Sequence, residues 1–96
     1  MSDNITALWT KEANLKRTRE MWVGRIDRFS AARDENAAKL QETWALRNGF
    51  DADLFVKRIA DADAKLATAF AALEVIDEEY ATVLDQIYAW AWEVSE

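Results

Sequence analysis

The side chains that come nearest to an arrangement for chemistry are neighbouring carboxylates. Asp77, Glu78 and Glu79 form one cluster, and Asp61 and Asp63 form another. Paired carboxylates divide acid and base work only where a pocket pushes their pKa values apart. Asp51 and Asp53 invite comparison with a metal loop, but the EF-hand spacing and its terminal glutamate are missing. The chain has no histidine, which removes the commonest general base and the commonest zinc ligand. It has no cysteine, so neither a disulfide nor a thiolate metal site can form. Its two glycines, Gly24 and Gly49, make no phosphate-binding loop. We expect no catalytic residue, no bound metal, no cofactor and no small-molecule substrate, hence no enzyme. The carboxylates read as a solvated acidic face.

The elements that carry these residues are helical. Steps of four and three from Phe55 give Phe55, Ile59, Ala62, Leu66, Ala69, Leu73, Ile76, Tyr80, Val83, Ile87, Trp90 and Val94, all apolar or aromatic. That spacing is the seam of a helix packed along another helix. A helix over 52–94 is expected, about 60 Å long at 1.5 Å per residue. The absence of proline agrees, since proline ends helices.

Ahead of it, Ser2, Asp3 and Asn4 are good N-cap residues before Ile5. A weaker stripe runs through Ile5, Leu8, Leu15, Trp22, Ile26, Phe29, Ala37, Leu40 and Trp44. Glu12, Arg19 and Arg33 interrupt it, and its phase slips between Phe29 and Ala37. No turn residues surround Gly24, so the first helix is expected to run unbroken from 4 to 47. Arg47-Asn48-Gly49-Phe50 is the stop signal, with Gly49 expected to take the left-handed conformation. On that basis the turn spans 48–51, and Gly49→Val should destabilise it. Asp51 and Asp53 would cap the second helix.

Folding the chain at this turn sets the two stripes against each other. Trp44 would meet Phe55, Leu40 would meet Ile59, and Phe29 would meet Ala69, a large-small pairing that close packing favours. Leu8 would meet Trp90 at the open end, and Arg19 would fall opposite Tyr80, beside Glu78 and Glu79. Charges agree with the fold-back. Residues 10–33 hold seven basic and three acidic groups, and residues 74–96 hold seven acidic and no basic ones. The fold class is therefore all-α: one long antiparallel two-helix hairpin domain over 1–96, resembling a coiled coil.

The same pattern bounds the partners. The basic run from Lys16 to Arg33 contains Trp22 and Phe29, but these lie on the stripe, and the chain's net charge is −6. Both facts argue against direct nucleic-acid binding. No apolar run reaches the roughly 18 residues of a membrane span. The first residues lack the order of a secretory signal, so a soluble, cytoplasmic protein is the default expectation.

Five tryptophans in 96 residues suggest contact surfaces. Trp22, Trp44 and Trp90 lie on the stripes and read as core. Trp9, Tyr88, Trp90 and Trp92 gather at the open end as a candidate partner-binding patch. Trp92 is expected on the outside. Beside the seam of the second helix run Val56, Ala60, Ala67, Phe70, Ala81, Leu84, Tyr88 and Ala91. One partner helix covers only a narrow stripe. Val56, Phe70, Leu84 and Tyr88 are therefore candidate self-association residues, pairing two hairpins into a four-helix bundle.

Length, acidity and hairpin resemble the WXG100 class of small secreted proteins, helical hairpins that dimerise into four-helix bundles. A W-x-G string is present at Trp22-Val23-Gly24, mid-helix, where that family's motif marks the turn. Tyr80 to Asp85 and Tyr88 to Glu93 are each one residue longer than the family's Tyr-x-x-x-Asp/Glu secretion spacing. The resemblance implies architecture and, by extension, a secreted binding partner. From the residues themselves, the expected role is non-catalytic protein–protein binding, to a second copy or to another protein. An acidic mimic that occupies a basic site is the alternative.

Overall fold

The computed structural model describes residues 2–95, with side chains described for 4–49 and 51–94. The side chains of the expected caps Ser2 and Asp3, and that of Phe50, lie outside the described residues. The protein is a helical hairpin: α1 spans Ser2–Ala45 and α2 spans Gly49–Ser95. Among the described residues there is no strand. α1 runs through Gly24 without a break, as the lack of surrounding turn residues implies. A helical glycine in open space costs about 1 kcal/mol relative to alanine, which 44 residues of helix tolerate.

The turn differs from the expected one. Arg47, not Gly49, takes the left-handed backbone, with φ of 57°, and neither glycine has positive φ. Asn48 N donates to Thr43 O at 3.1 Å, and Arg47 N donates to Trp44 O at 3.0 Å. These two bonds are a Schellman closure, which satisfies the last carbonyls of α1. Asn48 then caps α2. Its carbonyl accepts from Ala52 N at 3.1 Å. Its Oδ1 accepts from Asp51 N at 3.3 Å, and its Nδ2 donates to Asp51 Oδ2 at 2.7 Å. Gly49 is therefore the first residue of a helix, where any side chain fits, and a Cβ built there meets nothing within 4 Å.

The expected loss on Gly49→Val is thus overturned, and the sensitive position is Arg47. Left-handed backbone costs an ordinary L-residue roughly 1–2 kcal/mol. Arg47→Gly should raise stability by about 1 kcal/mol, and Gly49→Ala by about 0.5–1 kcal/mol. Thermal melts followed by circular dichroism check both. A lower melting temperature for either variant contradicts this turn.

The hairpin comprises two compact units. A terminal unit contains residues 1–23 and 72–96, and a turn unit contains residues 24–71. In the terminal unit the core is Ile76, Val83 and Ile87, with Ile5, Leu8, Leu15, Trp22, Leu73 and Tyr80 half-buried. In the turn unit Ala52, Ala62 and Ala69 are buried, and Ile26, Phe29, Leu40, Phe55, Ile59 and Leu66 are half-buried. Small residues at the closest approach let two backbones come near each other, with larger side chains filling the flanks.

Three seam expectations fail at the ends. Trp44 is 63% exposed, and Thr43 is buried in its place. The seven-residue spacing of Phe29, half-buried Asn36 and Thr43 continues to the turn without a slip, so Trp44 falls one position outside it. The Thr43 hydroxyl donates to Lys39 O at 2.7 Å, so its burial leaves no polar atom unmatched. Trp90 and Val94, expected against α1, are 36% and 64% exposed. The seam's four-three spacing averages 3.5 residues, whereas a straight helix turns every 3.6, so the stripe drifts off the contact line with distance.

The residues that interrupt the first stripe are the ones that reach across. Glu12, Arg19 and Arg33 continue the seven-residue spacing of Ile5, Ile26 and Leu40. In the terminal unit the Tyr80 hydroxyl donates to Glu12 Oε1 at 2.8 Å, and Arg19 Nε pairs with Asp77 Oδ1 at 2.8 Å. In the turn unit Arg33 Nε pairs with Asp63 Oδ1. Arg19 thus engages a carboxylate one turn before Tyr80, instead of Glu78 or Glu79. The turn at 46–48 lies earlier in the chain than expected, so each α1 position faces α2 about one turn earlier. Tyr80, expected opposite Arg19, bonds Glu12 instead. These exposed pairs contribute little stability individually. Polar residues at seam positions fix register instead.

Candidate protein interface

Local helix geometry decides which aromatic rings are exposed. In the terminal unit, Trp9 is 52% exposed, Tyr88 62% and Trp92 71%, with Trp90 at the edge of cover. Trp92 lies outside the seam, as its position between Trp90 and Val94 implies. Trp22, the remaining tryptophan of this unit, is half-buried. A shallow groove lined by Asn4, Ala7, Leu8, Lys11 and Gln86 also opens in this unit.

Charge is distributed unevenly between the units. By sequence, the terminal unit holds four basic and ten acidic residues, a net of −6, whereas the turn unit holds eight of each. Glu74, Glu78, Glu79, Asp85 and Glu93 are all exposed and make no ion pair among the described residues. The hydrogen bond to Glu12 raises the pKa of the Tyr80 phenol above its ordinary value, because the neutral phenol is the donor and the carboxylate opposes a second negative charge.

The turn unit offers a different surface. Of the candidate self-association residues, Val56 is 47% exposed and Phe70 is 54% exposed. Leu84, in the terminal unit, is half-buried. Sequence reasoning missed Trp44 at 63% exposure, and Leu46 at 75%. The signal for Trp44 was the seven-residue spacing of Phe29, Asn36 and Thr43, which leaves it out. A groove of about 280 Å³ has Phe29, Ala32, Ala62, Lys57, Arg58 and Lys65 among its lining. Lys65 Nζ sits 5.9 Å from the centre of the Phe29 ring and pairs with Asp61 at 3.0 Å. The Arg58 guanidinium lies 5.7 Å from the centre of the Phe55 ring.

The carboxylate clusters do not converge on a common point. Asp77 is tied to Arg19, Asp63 to Arg33 and Asp61 to Lys65, while Glu78 and Glu79 face solvent. Asn48, not Asp51 or Asp53, is the cap of α2: the Asp51 carboxylate only accepts from the Asn48 side chain, and Asp53 is exposed. Among the described residues no group of His, Cys, Asp or Glu could hold a metal ion, and no helix is long and apolar enough to cross a membrane. What this surface offers chemically is apolar and aromatic contact beside unpaired negative charge.

No protein-family model, curated protein or solved structure matches this chain. The likeness to WXG100 proteins rests on length, acidity and the hairpin, not on the motif. Trp22 and Gly24 lie inside α1, and the turn is Leu46–Asn48.

Proposed function

We propose that this protein works without catalysis, as a small helical module that binds other polypeptides through its exposed apolar side chains. The observation that carries this reading is surface area. The chain exposes 7183 Å², where a folded monomer of 11.0 kDa exposes about 5,600 Å². A standard interface covers about 800 Å² per partner, so the surplus leaves room for more than one. The large exposed side chains, from Trp9, Val56 and Phe70 to Tyr88 and Trp92, are of the types that anchor such contacts.

Self-association into a four-helix bundle is one use of this surface. Light scattering at high micromolar concentration should give a dimer, and Phe70→Lys should return a monomer of 11.0 kDa with unchanged helicity. Lysine at a buried interface position is left unpaired and costly. A wild-type monomer at that concentration removes the self-association half of the reading.

A second reading, an acidic mimic that occupies a basic site, draws support from the net −6 of the terminal unit. Salt separates the two. Apolar contact survives high ionic strength, and binding by exposed charge alone does not. Secretion as a WXG100-like partner has only length, acidity and the hairpin in its favour.

A further inference from the structure

Resting on the binding role above, we infer that the terminal unit docks a basic amphipathic helix of another protein. Two independent features of this unit converge on that occupant. The first is the set of exposed rings: Trp9, Tyr88 and Trp92 present 52%, 62% and 71% of their surface. The second is uncompensated charge. Glu74, Glu78, Glu79, Asp85 and Glu93 are exposed and unpaired among the described residues, and Arg19, one of the unit's four cations, is already tied to Asp77.

Each feature selects for part of the partner. Indole and phenol rings bury apolar side chains, and their faces attract lysine and arginine. Carboxylates on the same unit add long-range attraction for cations and repel anions. A helix with an apolar stripe flanked by lysine or arginine meets both demands at once. The alternatives meet one and violate the other. A second copy would bring a net charge of −6 against −6 in this unit, so self-association belongs to the neutral turn unit, at Val56 and Phe70. Nucleic acid and anionic lipid are repelled for the same reason.

The probe is a synthetic amphipathic helix of leucine and lysine, titrated into the full-length protein and followed by calorimetry. Three controls accompany it: a shuffled peptide of the same composition, a leucine/glutamine helix with the same apolar stripe, and a leucine/glutamate helix. The leucine/lysine helix should bind at least about tenfold more tightly than all three. Trp92→Ala, at a position exposed enough to leave helicity unchanged, should weaken binding by about tenfold or more. The combined change Glu78→Gln, Glu79→Gln and Asp85→Asn should weaken it comparably at low salt. Phe70→Lys should leave it unaltered.

Equal binding of the leucine/glutamine helix overturns the inference and leaves the apolar binding role standing. Equal binding of the shuffled peptide also overturns it, because charge alone then suffices. No binding by any peptide, with wild-type protein monomeric at high micromolar concentration, overturns both the inference and the role on which it rests.

Discussion

Val83→Asp should unfold the terminal unit. Val83 is 1% exposed and is the largest fully buried side chain among the described residues. It sits on the seam of α2, one heptad after Ile76 and four residues before Ile87, both of them buried. Truncation to alanine alone removes roughly 2 kcal/mol of burial. Aspartate adds a carboxylate that must be desolvated in the seam. The combined cost should exceed about 4 kcal/mol, a large share of the 5–15 kcal/mol that holds a domain of ordinary stability. Trp22 is the half-buried tryptophan of this unit, so its emission should shift to the red as helicity falls. Val94→Asp is the control. Val94 occupies the same seam but is 64% exposed, and its replacement should change stability by no more than about 0.5 kcal/mol. Equal effects at the two positions would mean that the seam does not bury Val83.

The contrast between Val83 and Val94 also shows what the sequence could and could not disclose. Four-three spacing identified the line along α2 on which contacts fall. Ten of its twelve positions are buried or half-buried, and Trp90 and Val94 are not. The pattern carries no information about where the partner helix stops covering it. At the other end, Trp44 looked like core because it is large and apolar at a plausible interval. One residue of phase puts Thr43 there instead, and a threonine can be buried because its hydroxyl bonds back to Lys39 O. The turn was misplaced for a related reason. Glycine is the usual left-handed residue, so Asn48-Gly49 pointed to Gly49, but Asn48 was needed as the cap of α2 and the left-handed position moved to Arg47.

The polar interruptions were visible and their partners were not. Glu12, Arg19 and Arg33 stood out as breaks in an apolar stripe. Because the turn falls earlier than Asn48-Gly49 implied, the facing register shifts by about one turn, and they pair with Tyr80, Asp77 and Asp63. Of the candidate interface, exposure at Trp92 followed from helix geometry alone. The uneven charge between the two units required knowing which halves of the helices pack together.

Ala69→Leu should be the most damaging conservative change in the turn unit. Ala69 is fully buried, with 0% of its surface exposed. Ala52 and Ala62 are buried on the same seam, so α2 approaches its neighbour along a line of methyl groups. Overfilling such a site forces side chains off their rotamers or pushes backbones apart, at about 1–3 kcal/mol. For a chain of this length 1 kcal/mol moves the melting temperature by about 4–8 °C, so the loss is readily measured. Ala67→Leu is the matched control. It adds the same atoms two residues away, at an exposed position, and leucine is nearly as good a helix former as alanine. Its effect on the isolated hairpin should be close to zero. Both melts should be recorded at low concentration, because Ala67 lies beside Val56 and Phe70 in the stripe proposed for self-association, where a dimer would add its own concentration-dependent term. A melting temperature unchanged by Ala69→Leu would show that the helices of this unit have room between them, and the close alanine seam would have to be abandoned.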